Sequence, residues 1–279
     1  MNRSFTCPVC GKPNLGFSPN PELLRWKFNC FSCPETGASY MKALAELLGV
    51  KPATLLSDPP FDLLDEVGYC RDREPDPLPT NREVRRWRDG LFESVEAFDY
   101  VRHRGLSEQT LRRFWIGFDG RAIVFPCRDA NGALVNIKRR ALPGSEWSFG
   151  KAKGLAGIPA VLYPDVPACS WSLVCEGEFD ALLARQHGLP AVTTTCGQEW
   201  PDALVEQVQP KGRAFAICFD VGAQKAEEVA LKLLGAGARE VRIVDLPLAE
   251  KGADLSDWLL AGGTKAEFFE LVRAARRAG

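Results

Sequence analysis

The residues best suited to chemistry are carboxylates spaced through the last hundred positions. Glu176 and Asp180 sit in Val174-Cys175-Glu176-Gly177-Glu178-Phe179-Asp180. Asp220 closes the apolar run Ala214-Phe215-Ala216-Ile217-Cys218-Phe219, and Asp254 and Asp257 sit in Gly252-Ala253-Asp254-Leu255-Ser256-Asp257-Trp258. Glu176 and Asp220 each end what reads as a buried strand, and Asp254 falls in the loop after another. Carboxylates at the C-terminal ends of strands in an open α/β sheet converge on one crevice, where ligands bind. Hard oxygen ligands gathered there suit Mg²⁺ or Mn²⁺ and, through the ion, phosphates. Singly, Glu176, Asp180 or Asp220 is about as readily a first-turn helix charge favoured by the dipole. Together they fit a metal crevice better.

A second set of ligands lies at the other end of the chain. Cys7-Pro8-Val9-Cys10 and Cys30-Phe31-Ser32-Cys33 form a CxxC…CxxC pair with 19 residues between. Each CxxC points two sulfurs at one ion, and four thiolates close a tetrahedral Zn²⁺ shell, as in zinc ribbons. Such a site is structural. A segment of about 40 residues buries little core, so metal binding supplies folding energy on the order of 10 kcal/mol. Arg25, Trp26, Lys27 and Phe28 interleave cations with aromatics, a pattern that holds phosphates and stacks unpaired bases. Packing of the ribbon itself is the competing use of Trp26 or Phe28. Ser39 to Val50 reads as a helix sealing the ribbon.

The elements that must position the acids follow a linker. Lys51 to Thr80 is rich in Pro and Asp and reads as a semi-rigid spacer. From Asn81 the pattern turns helical, with one helix from Ser94 to Arg104, a stop at Gly105 and a new cap at Ser107. Two strands, Ala122 to Pro126 and Ala133 to Lys138, flank Asp129-Ala130-Asn131-Gly132, a hairpin signal. Lys138, Arg139, Arg140, Lys151 and Lys153 cluster around that hairpin. They are plain solvated surface unless the acids lie beside them. From Asn81 to Leu155 there are 15 Lys and Arg against 9 Asp and Glu, within a chain of net charge −1; clustered charge matters more than the total for holding a polyanion.

Beyond Trp171 the chain alternates. Strands read at Ser172–Cys175, Ala191–Thr194, Ala214–Phe219 and Glu240–Val244. Helices read at Phe179–His187, Pro201–Gln207, Ala223–Leu234 and Lys265–Arg276. This order predicts a mainly parallel sheet with right-handed crossovers. Gly177 is expected to turn the backbone sharply beside the site. The 279 residues therefore divide into a ribbon (1–50), a linker (51–80), a basic mixed α/β subdomain (81–168) and an α/β domain (169–279), α+β overall. The first residues carry no apolar leader and no stretch reaches bilayer length, so no membrane association is expected. Ten cysteines without an export signal predict a reducing, cytoplasmic setting.

This order of domains resembles the DNA primases of the bacterial and phage type, over nearly the whole chain. Glu176-Gly177-Glu178-Phe179-Asp180 is similar to the glutamate motif of their Toprim domain. Phe219-Asp220 with Gln224-Lys225-Ala226 is similar to its aspartate motif, and Gly252 to Leu259 to its third acidic segment. Tyr100 to Ser107, Phe114 to Gly117, Phe125 to Gly132 and Asn136 to Arg139 resemble the start of the primase polymerase core. The chain departs from the family at the second motif. Asp220-Val221-Gly222-Ala223-Gln224 is short by two residues and lacks the second carboxylate of Asp-x-Asp. That leaves one ion position, with two-metal transfer in doubt.

The resemblance implies template-directed synthesis of short RNA from NTPs on single-stranded DNA. Glu176 and Asp220 would hold Mg²⁺ or Mn²⁺, assisted by Asp254 and by Asp257. Asp180 would position them. Lys138, Arg139, Arg140, Lys151 and Lys153 would hold nucleotide or template phosphates, and the ribbon would read the initiation site. No GxxxxGK[ST] loop occurs, so a replicative helicase is expected as a separate chain. A degenerate Toprim protein that holds DNA or a helicase without catalysis is the alternative. A Toprim nuclease or topoisomerase ranks lowest, since the four tyrosines all precede the Toprim region.

Overall fold

The computed structural model describes residues 3–9, 15–20, 25–30, 37–62, 64, 76–144, 152–155 and 157–279. Cys10, Cys33 and Lys151, all singled out from sequence, lie outside that set. The chain forms two compact units, Met1–Glu74 and Pro75–Gly279.

In the first unit, strands β1 (Arg3–Phe5), β2 (Leu15–Asn20) and β3 (Arg25–Cys30) form an antiparallel sheet in chain order. Alternation along each strand sends Phe5, Leu15, Phe17 and Cys30 into the core. Helix α1 (Gly37–Leu47) covers it with Tyr40 and Leu44, one turn apart. Helix α2 (Thr54–Ser57) follows. Leu55, Phe61 and Leu64, from the stretch expected to be spacer, are packed in this same core. Phe61 sets its ring 5.7 Å from Phe5, 5.5 Å from Phe17 and 5.0 Å from Trp26. Apolar side chains between the prolines found surface to bury, which composition alone concealed.

The second unit opens with α3 (Asn81–Glu93), started by a Thr80–Glu83 capping box. Helices α4 (Val95–His103) and α5 (Glu108–Arg113) follow, capped by Ser94 and Ser107 as their positions predict. Next come β4 (Gly117–Phe118), β5 (Ala122–Arg128), β6 (Leu134–Ala141) and β7 (Ala152–Gly154), an antiparallel sheet in chain order. The rest reads β8 (Leu162–Tyr163), β9 (Trp171–Cys175), α6 (Glu178–Gln186), β10 (Ala191–Thr194), α7 (Asp202–Gln207), β11 (Ala214–Cys218), α8 (Ala226–Gly235), β12 (Glu240–Ile243), α9 (Leu255–Leu260), α10 (Lys265–Ala274) and β13 (Arg276–Arg277). Their sheet runs β13-β12-β11-β9-β10-β8, with the four inner strands parallel and an antiparallel strand at each edge.

The inner strands are buried on both faces, so they read in sequence as unbroken apolar runs. Leu173, Cys175, Ala216 and Cys218 face α6, α9 and α10. Val174, Phe215, Ile217 and Phe219 face α7 and α8. The first of these cores continues without a break through α4 and α5 to Ile123, Phe125 and Cys127 of β5. One expectation is corrected, and some elements had no signal in the sequence. Arg276 leaves the last helix for β13, because Ala275 is extended. Asp254 ends the loop after β12, as expected, and there serves as the N-cap of α9, a helix of six residues whose pattern is too short to read. The edge strands β8 and β13, two residues each, carry no periodicity at all. Among the described residues no helix is long and apolar enough to cross a membrane.

Candidate active site

Cys175 and Cys218 are register partners at the ends of β9 and β11. Glu176 and Asp220 therefore leave the sheet side by side, and the Asp220 amide donates to Glu176 Oε2 at 3.4 Å. The chain after β9 turns to one face of the sheet and the chain after β11 to the other, which opens a crevice between them. Thr193 Oγ1 braces the Glu176 carbonyl at 2.9 Å.

Two more acids converge from helices. Asp180, in the first turn of α6, is buried and accepts from Ser256 N at 3.0 Å and Ser256 Oγ at 2.6 Å. Asp254 and Asp257 cap α9 reciprocally: Asp254 Oδ1 accepts from Asp257 N at 2.8 Å and Asp257 Oδ2 from Asp254 N at 3.0 Å. Asp254 thus lines the pocket with Glu176, Asp180 and Asp220, while Asp257 serves chiefly to start the helix. Burial, then the charges of Glu176, Asp180, Asp254 and Asp257, push the Asp220 carboxyl up to about 7. Burial and Asp254 push Asp180 up to about 7, against the pull of Ser256 and Arg104. Carboxylates raised by burial and by one another's charge mark a candidate functional site.

The opposite wall is basic. Along β6, period two turns Lys138 and Arg140 toward the acids, where both line the pocket. Lys138 Nζ donates to the Thr195 carbonyl. Arg139 points the other way and is held by Asp119, Nε to Oδ2, at 2.7 Å. Lys153 pairs in register with Arg139 and shares that outer face. Of the five cations predicted around the hairpin, two therefore meet the acids and two do not, and Lys151 lies outside the described residues.

Sequence reasoning missed two lining residues. Arg104 reaches in from the end of α4, its guanidinium 5.0 Å over the Phe179 ring and Nη2 3.4 Å from Asp254 Oδ2. Its Nε is buried without a hydrogen-bond partner among the described residues. Gln186 fixes that turn, donating to the Gly105 carbonyl at 2.9 Å and accepting from Ser107 N at 2.7 Å. Glu178 is half-buried beside Lys138 and Arg140; burial raises its pKa and the two cations lower it. Its place in the Glu-Gly-Glu run was the available signal.

Gly177 makes no sharp turn. Its φ of −114° is ordinary extended backbone at the N-cap of α6. The requirement there is space, since a Cβ would stand 2.9 Å from Asp180 Oδ2. Gly177→Ala is expected to cost about 1–3 kcal/mol through this collision alone, read by urea unfolding; an unchanged midpoint would show that Asp180 moves aside freely. At the shortened second motif, Gly222 has φ +87° and packs under the Lys251 side chain, 3.5 Å from where its Cβ would be. Val221 N donates to the Ala253 carbonyl and Gly252 N to the Val221 carbonyl, each at 2.9 Å, pinning the turn to the Asp254 loop.

Among the described residues no three Cys, His, Asp or Glu side chains are arranged to hold one ion. Mg²⁺ needs only one or two protein carboxylates beside waters and phosphate oxygens, so Glu176 and Asp220 fit it. In the first unit, Cys7 and Cys30 are both buried, with Cys7 Sγ 3.1 Å from the Tyr40 hydroxyl. Of the aromatics expected to meet DNA, Trp26 packs edge-on against Phe61 and Phe28 stacks 5.2 Å from Phe17. Arg25 is exposed.

No protein-family model matches the chain. It is 23% identical over 278 aligned residues to a DNA primase of Thermotoga maritima, covering 77% of this chain and 46% of that protein. The chain thus spans about half the length of that relative. Its fold matches the zinc-binding and RNA polymerase domains of Aquifex aeolicus primase with TM-score 0.56 at 18% identity, over 99% of this chain and 79% of the other. A DnaG primase catalytic domain bound to single-stranded DNA matches with TM-score 0.52 at 18% identity, over 70% of this chain and 82% of that one. In sequence and in its mixed α/β fold, the chain is similar to the bacterial DnaG-type DNA primases.

Proposed function

We propose that the chain is a DNA primase that joins NTPs into short RNA on a single-stranded DNA template. The observation that carries this is the pairing of Glu176 and Asp220 at adjacent parallel strand ends, facing Lys138 and Arg140 across one pocket. A single-stranded DNA ligand on a protein of the same fold supports the choice of template.

In this reading the 3′-hydroxyl, or that of the first nucleotide, attacks the α-phosphate of the incoming NTP and displaces pyrophosphate. Glu176 and Asp220 would hold one Mg²⁺ or Mn²⁺, which neutralises charge building on the phosphate oxygens when bound. Lys138 and Arg140 bind the anionic nucleotide opposite the acids. Asp180, held by Ser256, positions the acidic side, and Asp254 holds Arg104 against the same pocket. Residues 169–279 would be the Toprim domain, 81–168 the basic subdomain of the polymerase core, and 51–80 the connection to the ribbon, with Leu55, Phe61 and Leu64 packed in the first unit's core. Residues 1–50 would be a ribbon in which Cys7, Cys10, Cys30 and Cys33 hold Zn²⁺ and Arg25 and Lys27 meet DNA. A separate helicase chain is the expected partner, in the cytoplasm.

The test is de novo RNA synthesis on mixed single-stranded templates with NTPs and Mg²⁺ or Mn²⁺, using protein shown by elemental analysis to carry one zinc. No product on any template would reject the reading. A non-catalytic DNA- or helicase-holding role has one observation in its favour, Gly222 pinned under Lys251 where a second carboxylate was expected.

A further inference from the structure

Trp115 is one of two non-glycine residues with positive φ among the described residues, at +58°. Its place explains the angle. Ile116 N donates to the Leu111 carbonyl at 3.0 Å and Trp115 N to the Arg112 carbonyl at 3.3 Å. These are the two bonds of a Schellman helix stop, whose left-handed position glycine fills best. A tryptophan there is a poor choice for folding. Nor does its ring repay the backbone by packing, since neither Trp115 nor Trp87 joins either apolar core of this unit.

The ring holds cations instead. The Arg88 guanidinium lies 4.6 Å from its centroid and that of Arg128 5.5 Å. Arg128 is braced by neutral groups only, donating to the Gly132 carbonyl at 2.9 Å and to Asn81 Oδ1 at 3.0 Å. Its charge is therefore fixed in place and not neutralised by those bonds. Arg85 stands between Asn81 and Arg88 on one face of α3, at i+4 and i+7 spacing, and is exposed; Arg88 itself donates through Nε and Nη2 to Asp89 Oδ1 at 3.0 and 2.7 Å, which leaves its Nη1 for a phosphate. Gly117, whose Cβ position is only 2.8 Å from the Trp87 backbone, presses β4 onto α3 and brings these residues together. A bulky residue strained at a helix stop that glycine would fill without strain, and whose ring joins neither core, points to function.

The group faces away from the acidic pocket. Arg139, on the outer face of β6, sets its guanidinium 5.6 Å from the Trp87 ring, on the side that α3 covers. Lys138 and Arg140 point to the other side.

We propose that Arg88 and Arg128, held over Trp115, together with Arg85 one turn away on α3, form a second binding surface for a single-stranded polynucleotide. Stacked guanidinium groups keep edge N–H donors for phosphate oxygens, and aromatic rings among cations are how unpaired strands are held without sequence preference. The surrounding excess of 15 basic over 9 acidic residues from Asn81 to Leu155 complements a polyanion. Only the strand's role as template or product rests on the primase reading; the surface itself does not.

The test uses the full chain and labelled oligo-dT, oligo-U and duplex DNA, with anisotropy read across a salt series. Trp115→Gly is expected to melt no lower than the parent, since glycine suits the angle, yet to bind single strands at least threefold more weakly. Arg88→Gln and Arg128→Gln should each flatten the log Kd against log salt slope by about 0.7, the value for one lost phosphate contact on a single strand. The tighter of oligo-dT and oligo-U identifies the strand as template or product. Unchanged affinity and slope in the Trp115→Gly chain and in the triple Arg-to-Gln chain would overturn the surface, as would binding confined to duplex. Loss of primer synthesis with this binding intact would instead count against the primase reading.

Discussion

Glu176→Gln is expected to lower primer synthesis by about 10³-fold, the scale on which removing one electrostatic partner of the reacting phosphate acts. Asp220→Asn should do the same. Both side chains sit at the crevice mouth, and glutamine keeps an oxygen to accept from the Asp220 amide. The melting temperature should therefore hold while the rate falls. Product yield per enzyme at saturating NTP, with melting measured beside it, checks both halves. Full synthesis by the Glu176→Gln chain would remove the acidic pocket from the chemistry and favour the non-catalytic reading.

The second large effect is a dependence of stability on pH that divalent cations reverse. Asp180 and Asp220 both titrate near 7 in the folded chain, from an ordinary value of 3.8. Between about pH 4 and 7 the folded state therefore binds more protons than the unfolded state, so stability falls as pH rises through that window. Without divalent ions, the melting temperature of this unit should drop by about 5 °C from pH 5 to pH 8. Millimolar Mg²⁺ should restore most of the loss at pH 8 and little at pH 5, where the acids are already protonated. Asp180→Asn should shrink the drop, because the amide oxygen still accepts from Ser256 and carries no charge. A melting temperature that is flat or rises with pH in chelator would sink this account.

Much of the acidic half was legible in the chain. Strands β9, β10, β11 and β12 lie where apolar runs predicted, because burial on both faces leaves them uninterrupted. Glu176 and Asp220 could be placed at their ends for the same reason. The face of each β6 cation was also there to be read, since period two separates Lys138 and Arg140 from Arg139, but charge clustering drew attention to the triplet as a whole. Other features had no local signal. Arg104 meets Asp254 across 150 positions. Asp254 and Asp257 cap a helix shorter than any detectable period. Trp115 looks like an ordinary aromatic until the bonds closing α5 reveal the angle it must adopt.

On the primase reading, the unbroken core beneath the site bears on how a nucleotide would be captured. Phe125, under the basic wall, sets its ring edge-on to Phe179, under the acidic wall, at 5.2 Å, and both belong to one packed cluster. Close-packed interiors deform little and transmit strain. The two walls therefore behave as the fixed jaws of a gauge, not as a closing clamp. A nucleotide that fits a gap of fixed width would bind with little reorganisation to offset. A misfit cannot be accommodated by opening the gap, because that would pull the Phe125 and Phe179 rings apart. Selectivity at this pocket should accordingly appear as faster escape of wrong nucleotides, not as slower closure over right ones.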